Sequence, residues 1–535
     1  MTRFHQNTQS IWQEDIVLSD MPTLSKSVSA DVCIVGAGFA GLLTAYQLLK
    51  KEFKVVVIDR DDLGHGETAL TSAHISDVYD DLFTQLIKKF GKDKARVAYA
   101  SHRAAIDLIE KIILEEDIDC DFKRVNGFLF LDPKHDPKFL EEEFYAALDC
   151  GAEDSHLQGH PNDVFFDTGA CIRFGHQAQF HALKFLNGLC ERIHAMGGQI
   201  YTRTKAEFIQ DGKNPRVDTS NGYHISCDHV LVATNVPINN MLSLHVKEAA
   251  YRSYVIGLKI PRGQVPLALY WDTESPYHYI RVDSAPERDF DVLIVGGEDH
   301  RVGQEAHPEF IFQKLRDWVD IRLGIKDAEV VYTWSGQIIE PAGGLAYIGR
   351  NPGDKNVYVC TGDSGQGITH AGICAILIPA LIEGAEDHPY ESVYDPNRIV
   401  LRNLSQVIRE GTQTSLQYAD WVYRNEKDVH DLVPGEGCVS TQGLSKVAVY
   451  RDHDGDLHRF SAVCPHMNGI VKWNSVEETW DCPCHGSRFS KMGEVLNGPA
   501  IHDLSPHKGE ERSIENISIK KKSDNDIDLT MRGSR

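Results

Sequence analysis

The chain has 535 residues, 42% hydrophobic and 25% charged, too many for one core, so two to four domains are expected. Its 78 acidic against 55 basic residues give a formal charge of −23, which repels phosphate backbones and anionic membrane surfaces and argues against a nucleic-acid partner. No apolar core follows the start MTRFHQNTQSIWQED, and the longest apolar run, Ile373 to Ile382, falls far short of the ~20 residues of a spanning helix, so a cytoplasmic protein without membrane insertion is expected.

Residues 1–30 are expected to be an N-terminal extension. From Asp31, DVCIVGAGFAGLLTAYQLLKKEFKVVVIDR places β-branched runs on both sides of a helical apolar pattern, which predicts strand, tight turn, helix and strand. Gly36, Gly38 and Gly41 spell G-x-G-x-x-G at the turn, where glycine lets the backbone approach a pyrophosphate at the helix N-terminus. Asp59, followed by Arg60, ends the second strand, where a carboxylate can accept ribose hydroxyls. An ordinary glycine-rich turn would share the triplet but not the strand, helix and acid around it. Residues 75–120 carry helical spacing, and GFLFLDP and the 140s return to short strands and helices, an α/β pattern with insertions. LVATN at 231–235 closes a strand late in this unit. VIGLKI at 255, YHYIRV at 277 and DVLIVGG at 291 suit a mixed sheet covering a cofactor. Tyr279 and Arg281, two apart on one strand, point the same way; Arg281 either grips a substrate carboxylate or sits in an internal ion pair. TGDSGQGITHAG at 361–372 supplies a second glycine-rich turn before an apolar helix, which a single nicotinamide would not need.

With WSGQIIEPAGGLAYIGR at 334–350 and YDPNR at 394–398, these motifs make residues 30–398 resemble the D-amino-acid-oxidase and glycine-oxidase superfamily of FAD enzymes. The resemblance implies a Rossmann-like α/β FAD-binding domain interleaved with a mixed-sheet substrate domain over residues 31–398. It implies that the turn of Gly362, Gly365 and Gly367, with Ile368 behind it, lies against the flavin. It places Glu67, Thr68, Thr71, Ser72 and His74 near the cofactor's phosphate or ring, with His74 equally readable as a structural histidine. It further implies a small-molecule amine or amino-acid substrate that loses a hydride from a carbon bonded to nitrogen, leaving an imine for water to hydrolyse. Some amino-acid oxidases of this family carry an arginine shortly after the Trp-x-Gly, where this chain has Gln337, Ile338, Ile339 and Glu340. That departure leaves room for an amine held by Glu340, since a carboxylate favours an ammonium group.

Residues 399–431 read as a helical linker, 432–520 as a small all-β domain of short strands and Asp-Gly turns, and 521–535 as a polar tail. The twelve cysteines are scattered except at Cys464, Cys482 and Cys484, which suits reduced thiols and one metal site. Cys464-Pro-His466, then fifteen residues, then Cys482-Pro-Cys484-His485 offers two thiolates to one iron and two imidazoles to another. Zinc is the rival, but it favours C-x(2-4)-C and H-x(3-5)-H pairs over mixed ones. WDCPCHGSRF at 480–489 and the turn Gly498-Pro499 extend a resemblance to Rieske 2Fe–2S proteins. High-potential members of that family bridge the two ligand loops with a disulfide, but the position facing Cys484 is Gly469. Phe489 stands where a tyrosine donates to a ligating sulfur, while Ser487 keeps its hydroxyl. Losing a donor to sulfur disfavours the reduced cluster, so the midpoint is expected in the lower half of roughly −150 to +300 mV.

The reading that follows is FAD-dependent oxidation of an amine or amino acid, with electrons passed singly to the cluster and on to an external electron acceptor, a dehydrogenase more than an oxidase. An NAD(P)H-dependent reductase would need another fingerprint, and DVLIVGGEDHRVG at 291–303 has Gly-Gly-Glu instead. A Rieske oxygenase would need two histidines and a carboxylate on a mononuclear iron; His176 and His181 are suggestively spaced, but Arg173 stands three before the first, and the pair is expected to flank a helix start. A purely structural cluster module is the remaining alternative.

Overall fold

Val32–Val35 is buried along its whole length, as is Val55–Ile58, the burial expected of parallel strands with both faces covered. They form the middle of a six-stranded sheet ordered Tyr347–Arg350, Val357–Thr361, His229–Val232, Val32–Val35, Val55–Ile58 and Gln199–Tyr201. Every pairing in it is parallel except that of Tyr347–Arg350 with Val357–Thr361. The helix Phe39–Lys50 packs on the helix Gly367–Ile382, which in turn meets the helix Lys92–Glu115. Twelve of the sixteen residues of Gly367–Ile382 are buried, as befits a helix apolar on every side. The computed structural model describes all residues except 1–8, 15, 160, 162–163, 240–243, 306, 399–420, 422–428 and 508–535. The expected linker therefore lies outside the described residues but for Trp421 and 429–431, and the polar tail lies wholly outside them.

A second, nine-stranded sheet stands over the first. Its main path runs Val330–Pro341, Glu248–Pro261, Phe290–Arg301, His278–Asp283, Ala268–Asp272, Lys123–Phe130, Cys171–Gln179 and His74–Ile75, with His156–Gln158 pairing beside it. The chain enters and leaves the two sheets repeatedly, which is the interleaving implied by the sequence. DVLIVGG lies within the strand Phe290–Arg301, antiparallel to both neighbours, so it is not the parallel strand of a second nucleotide-binding βαβ unit. His181 caps the helix Ala182–Ala195 through the Lys184 amide, and His176 lies 3.5 Å from Asp154, which accounts for both without an iron.

The N-terminal extension is built into this frame more deeply than its position suggested. Trp12 is fully buried, its indole nitrogen donates to the Thr71 carbonyl at 2.6 Å, and Val28–Ser29 adds a strand beside His224–Ser226. At the C-terminal end, a three-stranded sheet (Gly437–Gln442, Ser445–Arg451, Leu457–Ser461) and a four-stranded sheet (Lys472–Asn474, Thr479–Asp481, Arg488–Ser490, Val495–Asn497) are antiparallel throughout and share a core around Tyr450, Trp480 and Phe489.

The turn after Val32–Val35 depends on close backbone approach. Gly36 has φ +114°, and a Cβ there would stand 2.3 Å from the Ala233 carbonyl; a Cβ on Gly41 would stand 1.9 Å from the Gly36 carbonyl. Gly36→Ala is accordingly expected to cost about 1–3 kcal/mol through overpacking and to release the bound yellow chromophore. Calorimetry and the visible spectrum of the purified variant check this, and an unchanged melting temperature with full colour would refute it.

Candidate active site

A cavity opens between the two sheets at the carboxyl ends of the parallel strands. Gly38 caps the helix Phe39–Lys50 without a side chain, leaving the first amides unspent and facing the cavity, an arrangement suited to an anion. Glu67, Thr68, Thr71, Ser72 and His74 line one wall, Tyr279 another, and Gly365 and Gly367 the turn below. Nine of the residues singled out in the sequence are thus brought together. Gly36, Gly41 and Gly362 shape the turns from behind, and Ile368 is buried in the core next to Gly367.

Three expectations change. Asp59 does not line the cavity; its carboxylate closes the glycine-rich turn by accepting the Ala37 amide at 2.7 Å and the Asp61 amide at 3.0 Å. Arg60 is not at the cavity either, because it pairs with Asp61 at 2.9 Å and donates to the Leu496 carbonyl of the C-terminal domain. Arg281 is 1% exposed and turned into the protein, donating to the Ala73 carbonyl at 2.9 Å and the Phe180 carbonyl at 3.2 Å, with Asp283 at 3.4 Å and the Trp12 ring 5.0 Å away. It cannot hold a substrate carboxylate from there, and the internal ion pair is what the structure contains. Glu340 faces an adjoining cavity that shares Asp80, Trp271 and Tyr277 with the first.

His74 touches the cavity but is already satisfied, with Nδ1 3.0 Å from the Ser72 hydroxyl and Nε2 3.2 Å from the Ile280 carbonyl. Burial, and then the nearby Arg281 charge, pull its pKa down to about 3, so the ring is neutral. Other wall residues were given no site role in the sequence reading, among them Asn235, Ser253, Gln337, Asp363 and His370, although all but Ser253 lie in motifs singled out there. Asn235 directly follows the strand-closing LVAT and takes φ +63°, the one local signal that pointed to it. Three of these carry buried polar atoms without a partner, Asn235 Nδ2, Gln337 Oε1 and His370 Nε2. Orphaned donors and acceptors on a cavity wall, beside unspent helix amides, fit a large polar cofactor such as FAD.

The carboxylates of the adjoining cavity are held away from their usual range. Glu340 accepts the Ser364 hydroxyl at 2.7 Å, and burial, followed by the charge of Asp81, pushes it up to about 8. Burial raises Asp299 to about 7. Neither cavity has an arginine in its lining among the described residues.

In the C-terminal domain two loops carry the same closure. The Cys464 amide donates to Gly469 and the Asn468 amide to Cys464, just as the Cys482 amide donates to Ser487 and the Gly486 amide to Cys482. The Cys464 and Cys482 side chains interact directly, and the His466 and His485 rings meet edge to face at 5.0 Å. Sulfur thus stands with sulfur and imidazole with imidazole, which fits one iron bound through each pair; His466 Nε2 and His485 Nδ1 are buried without partners. A Cβ at Gly469 would stand 2.5 Å from Cys484 Sγ, so glycine here leaves room for that sulfur and provides no disulfide partner. Ser487 is fully buried and reaches the Cys464 thiol, whereas Phe489, also fully buried, has no hydroxyl to offer.

The two sites touch. Gln337, on the cavity wall, donates through Nε2 to the Gly486 carbonyl at 2.7 Å, one residue beyond His485. His245, 4% exposed, lays its ring 5.0 Å from that of His466 and 6.4 Å from that of His485.

Comparison with known proteins agrees with both halves. Residues 31–381 match the FAD dependent oxidoreductase family, and residues 423–508 match the Rieske [2Fe-2S] domain. The chain belongs to the FAD dependent oxidoreductase family. The Rieske 2Fe-2S iron-sulfur protein YhfW of Bacillus subtilis is 30% identical over 93% of this chain and 97% of its own length. The gamma-glutamylputrescine oxidoreductase of Escherichia coli is 25% identical over 68% of this chain and 85% of its own. The crystal structure of glycine oxidase from Geobacillus kaustophilus superposes with a TM-score of 0.57 at 17% identity, covering 69% of this chain and 99% of that one. This flavoprotein is therefore an FAD-dependent oxidoreductase with a Rieske domain, and its cofactors are FAD and a 2Fe–2S cluster. No helix among the described residues is long and apolar enough to cross a membrane.

Phe489→Tyr should raise the cluster midpoint by roughly 40 mV, the one-electron equivalent of one hydrogen bond of about 1 kcal/mol to a ligating sulfur. Film voltammetry of parent and variant decides it, and a fall in potential would contradict the assignment of Phe489.

Proposed function

We propose that this flavoprotein oxidises a small-molecule amine at a carbon bonded to nitrogen and sends the electrons through its own cluster to an external one-electron acceptor. The observation that carries the reading is the shared wall, in which Gln337 lines the flavin cavity and also binds the carbonyl that follows His485. When bound, FAD supplies the hydride acceptor, and the 2Fe–2S cluster supplies a one-electron store. The residues for these groups are the amides after Gly38 and Gly365 to Gly367 for FAD, and Cys464, Cys482, His466 and His485 for the irons.

On the substrate side, Trp271, Tyr277 and Tyr279 provide aromatic walls that exclude water, and Asp80, Asp299 and Glu340 present carboxyl groups where the two cavities meet. A substrate ammonium entering there replaces lost hydration with carboxylate contacts, while an α-carboxylate would find no guanidinium in either lining among the described residues. The E. coli relative is named for a putrescine conjugate, which supports an amine; the glycine oxidase is named for an amino acid, the other branch of the same chemistry.

Anaerobic mixing with a panel of amines and amino acids tests the reading: an active amine should bleach the flavin and raise the paramagnetic signal of the reduced histidine-ligated cluster. A bleached flavin beside a cluster that stays oxidised would defeat the relay. Glu340 bears on substrate choice. Because its pKa is raised, the carboxylate forms only as pH climbs through about 8, so amine affinity should strengthen between pH 6 and 9, below the ammonium's own titration. Glu340→Gln should remove the part of that slope near pH 8, leaving the part near pH 7 that belongs to Asp80 and Asp299, and raise KM about 10- to 100-fold, the loss of a charge-assisted hydrogen bond of about 1.5–3 kcal/mol. Steady-state kinetics across that pH range would reject the assignment if the variant kept the parent's profile.

A further inference from the structure

Glu477 belongs to the cluster domain, in the turn between Lys472–Asn474 and Thr479–Asp481, yet its side chain is only 5% exposed. Its carboxylate reaches across to the flavoprotein domain, where Oε1 lies 2.7 Å from Arg252 Nη2 and Oε2 lies 3.2 Å from Arg252 Nε. Oε1 also accepts the Ser335 hydroxyl at 2.5 Å. From its own domain it receives Arg488 Nη2 at 3.0 Å and Asn474 Nδ2 at 3.2 Å. Arg252 and Arg488 have side chains 3% and 4% exposed, so one carboxylate bridges two buried guanidiniums contributed by two domains; Asp481, 3.1 Å from Arg488, and Glu67, 3.7 Å from Arg252, are their further acidic partners. Burial pulls the Glu477 carboxyl upward, but Arg252 and Arg488 outweigh it and hold the group at about 2, charged at every working pH.

The clamp and the bridge between the sites lie on the same segments. Arg252 faces Gln337 across the strand pair Glu248–Pro261 and Val330–Pro341, and Ser335 is two residues before Gln337. Arg488 is two residues after Gly486, the acceptor of the Gln337 amide. Gly486 is pressed against the same strand, since a Cβ there would stand 2.1 Å from that of Ala250, and His245 closes over the ligand histidines just before this strand begins. Any opening at Glu477 therefore lifts the ligand loop from the cavity wall.

We propose that Glu477 is a positioning residue that locks the cluster domain onto the flavoprotein domain with the His466 and His485 edge turned inward, so that electrons cross in one fixed arrangement and not by excursions of the cluster domain. This rests on the relay reading above. With both groups bound, the two electrons taken from the amine would leave the flavin one at a time, each reducing one ferric iron of the cluster and passing to the external one-electron acceptor before the next, while the two protons would go to solvent. Removing the carboxylate leaves Arg488 with Asp481 at 3.1 Å and Arg252 with only Glu67 at 3.7 Å, and takes away the one charge that the two guanidiniums share across the boundary, which weakens the hold of one domain on the other. Glu477→Gln keeps the volume and part of the hydrogen bonding but not the charge.

The test compares parent, Glu477→Ala and Glu477→Gln holoenzymes in anaerobic stopped flow, following flavin bleaching and cluster reduction separately. Flavin bleaching should stay within twofold of the parent while cluster reduction slows at least tenfold in Glu477→Ala and by less in Glu477→Gln. Dithionite-reduced samples should give the parent's paramagnetic spectrum, which shows the cluster itself intact. Independently of turnover, amide exchange should accelerate at 245–250 and 482–488 in the variants. Parent-like exchange there together with parent-like cluster reduction in both variants overturns the inference; should Glu477→Ala fail to assemble a cluster, Glu477→Gln alone decides by the same two readouts. A parent enzyme whose cluster never reduces would instead sink the relay, leaving the exchange measurement to judge the clamp.

Discussion

A single amide of Gln337, donated to the Gly486 carbonyl, ties the wall of the flavin cavity to the loop that presents His485. Its position is constrained from both sides. On one side the Glu67 carboxylate accepts the backbone amide of Gln337 at 2.5 Å and the side-chain amide of Asn497 at 2.7 Å, so the same acid that lines the cavity also reaches the cluster domain. On the other, the ligand loop is closed on itself by backbone hydrogen bonds that leave the Gly486 carbonyl free to point outward. Two candidate redox sites that could have been separate modules are thereby joined through backbone and short polar side chains.

Charge is distributed in keeping with this. The buried charges at the domain boundary are paired, Arg252 and Arg488 with Glu477 and Arg488 with Asp481, because an unpaired ion there would carry its full desolvation penalty. At the junction of the two cavities the opposite holds: Asp299 and Glu340 have no nearby guanidinium and meet the penalty by taking up protons. A group of buried carboxyls is costly to keep charged, and the cationic substrate proposed above would offset that cost on arriving.

Much of the fold was legible because its elements announce themselves locally. The alternation of β-branched runs with a G-x-G-x-x-G turn, and the mixed Cys/His pairs, reflect requirements of backbone approach and metal coordination that act over a few residues. Positions that depended on side-chain direction were less legible. Arg281 shares a strand face with Tyr279, as the two-residue spacing demands, yet only Tyr279 reaches the cavity, because the backbone carbonyls of Ala73 and Phe180 capture the guanidinium further along. Asp59 is placed as the motif requires, but its carboxylate is spent on the Ala37 amide of the turn it terminates. Arg60 faces the cluster domain, 436 residues later in the chain, a contact no local pattern encodes.

By itself the amino-acid sequence determined the two cofactor classes, a parallel strand-turn-helix suited to the first and two Cys/His pairs suited to the second, since each is written in glycine, cysteine and histidine spacings over short stretches. Only the tertiary structure decided how the two candidate sites meet, which acids face the adjoining cavity and which arginines are withdrawn into ion pairs. Those outcomes come from long-range packing of strands and loops, where a side chain's partner is set by what the rest of the chain brings beside it rather than by its neighbours in sequence.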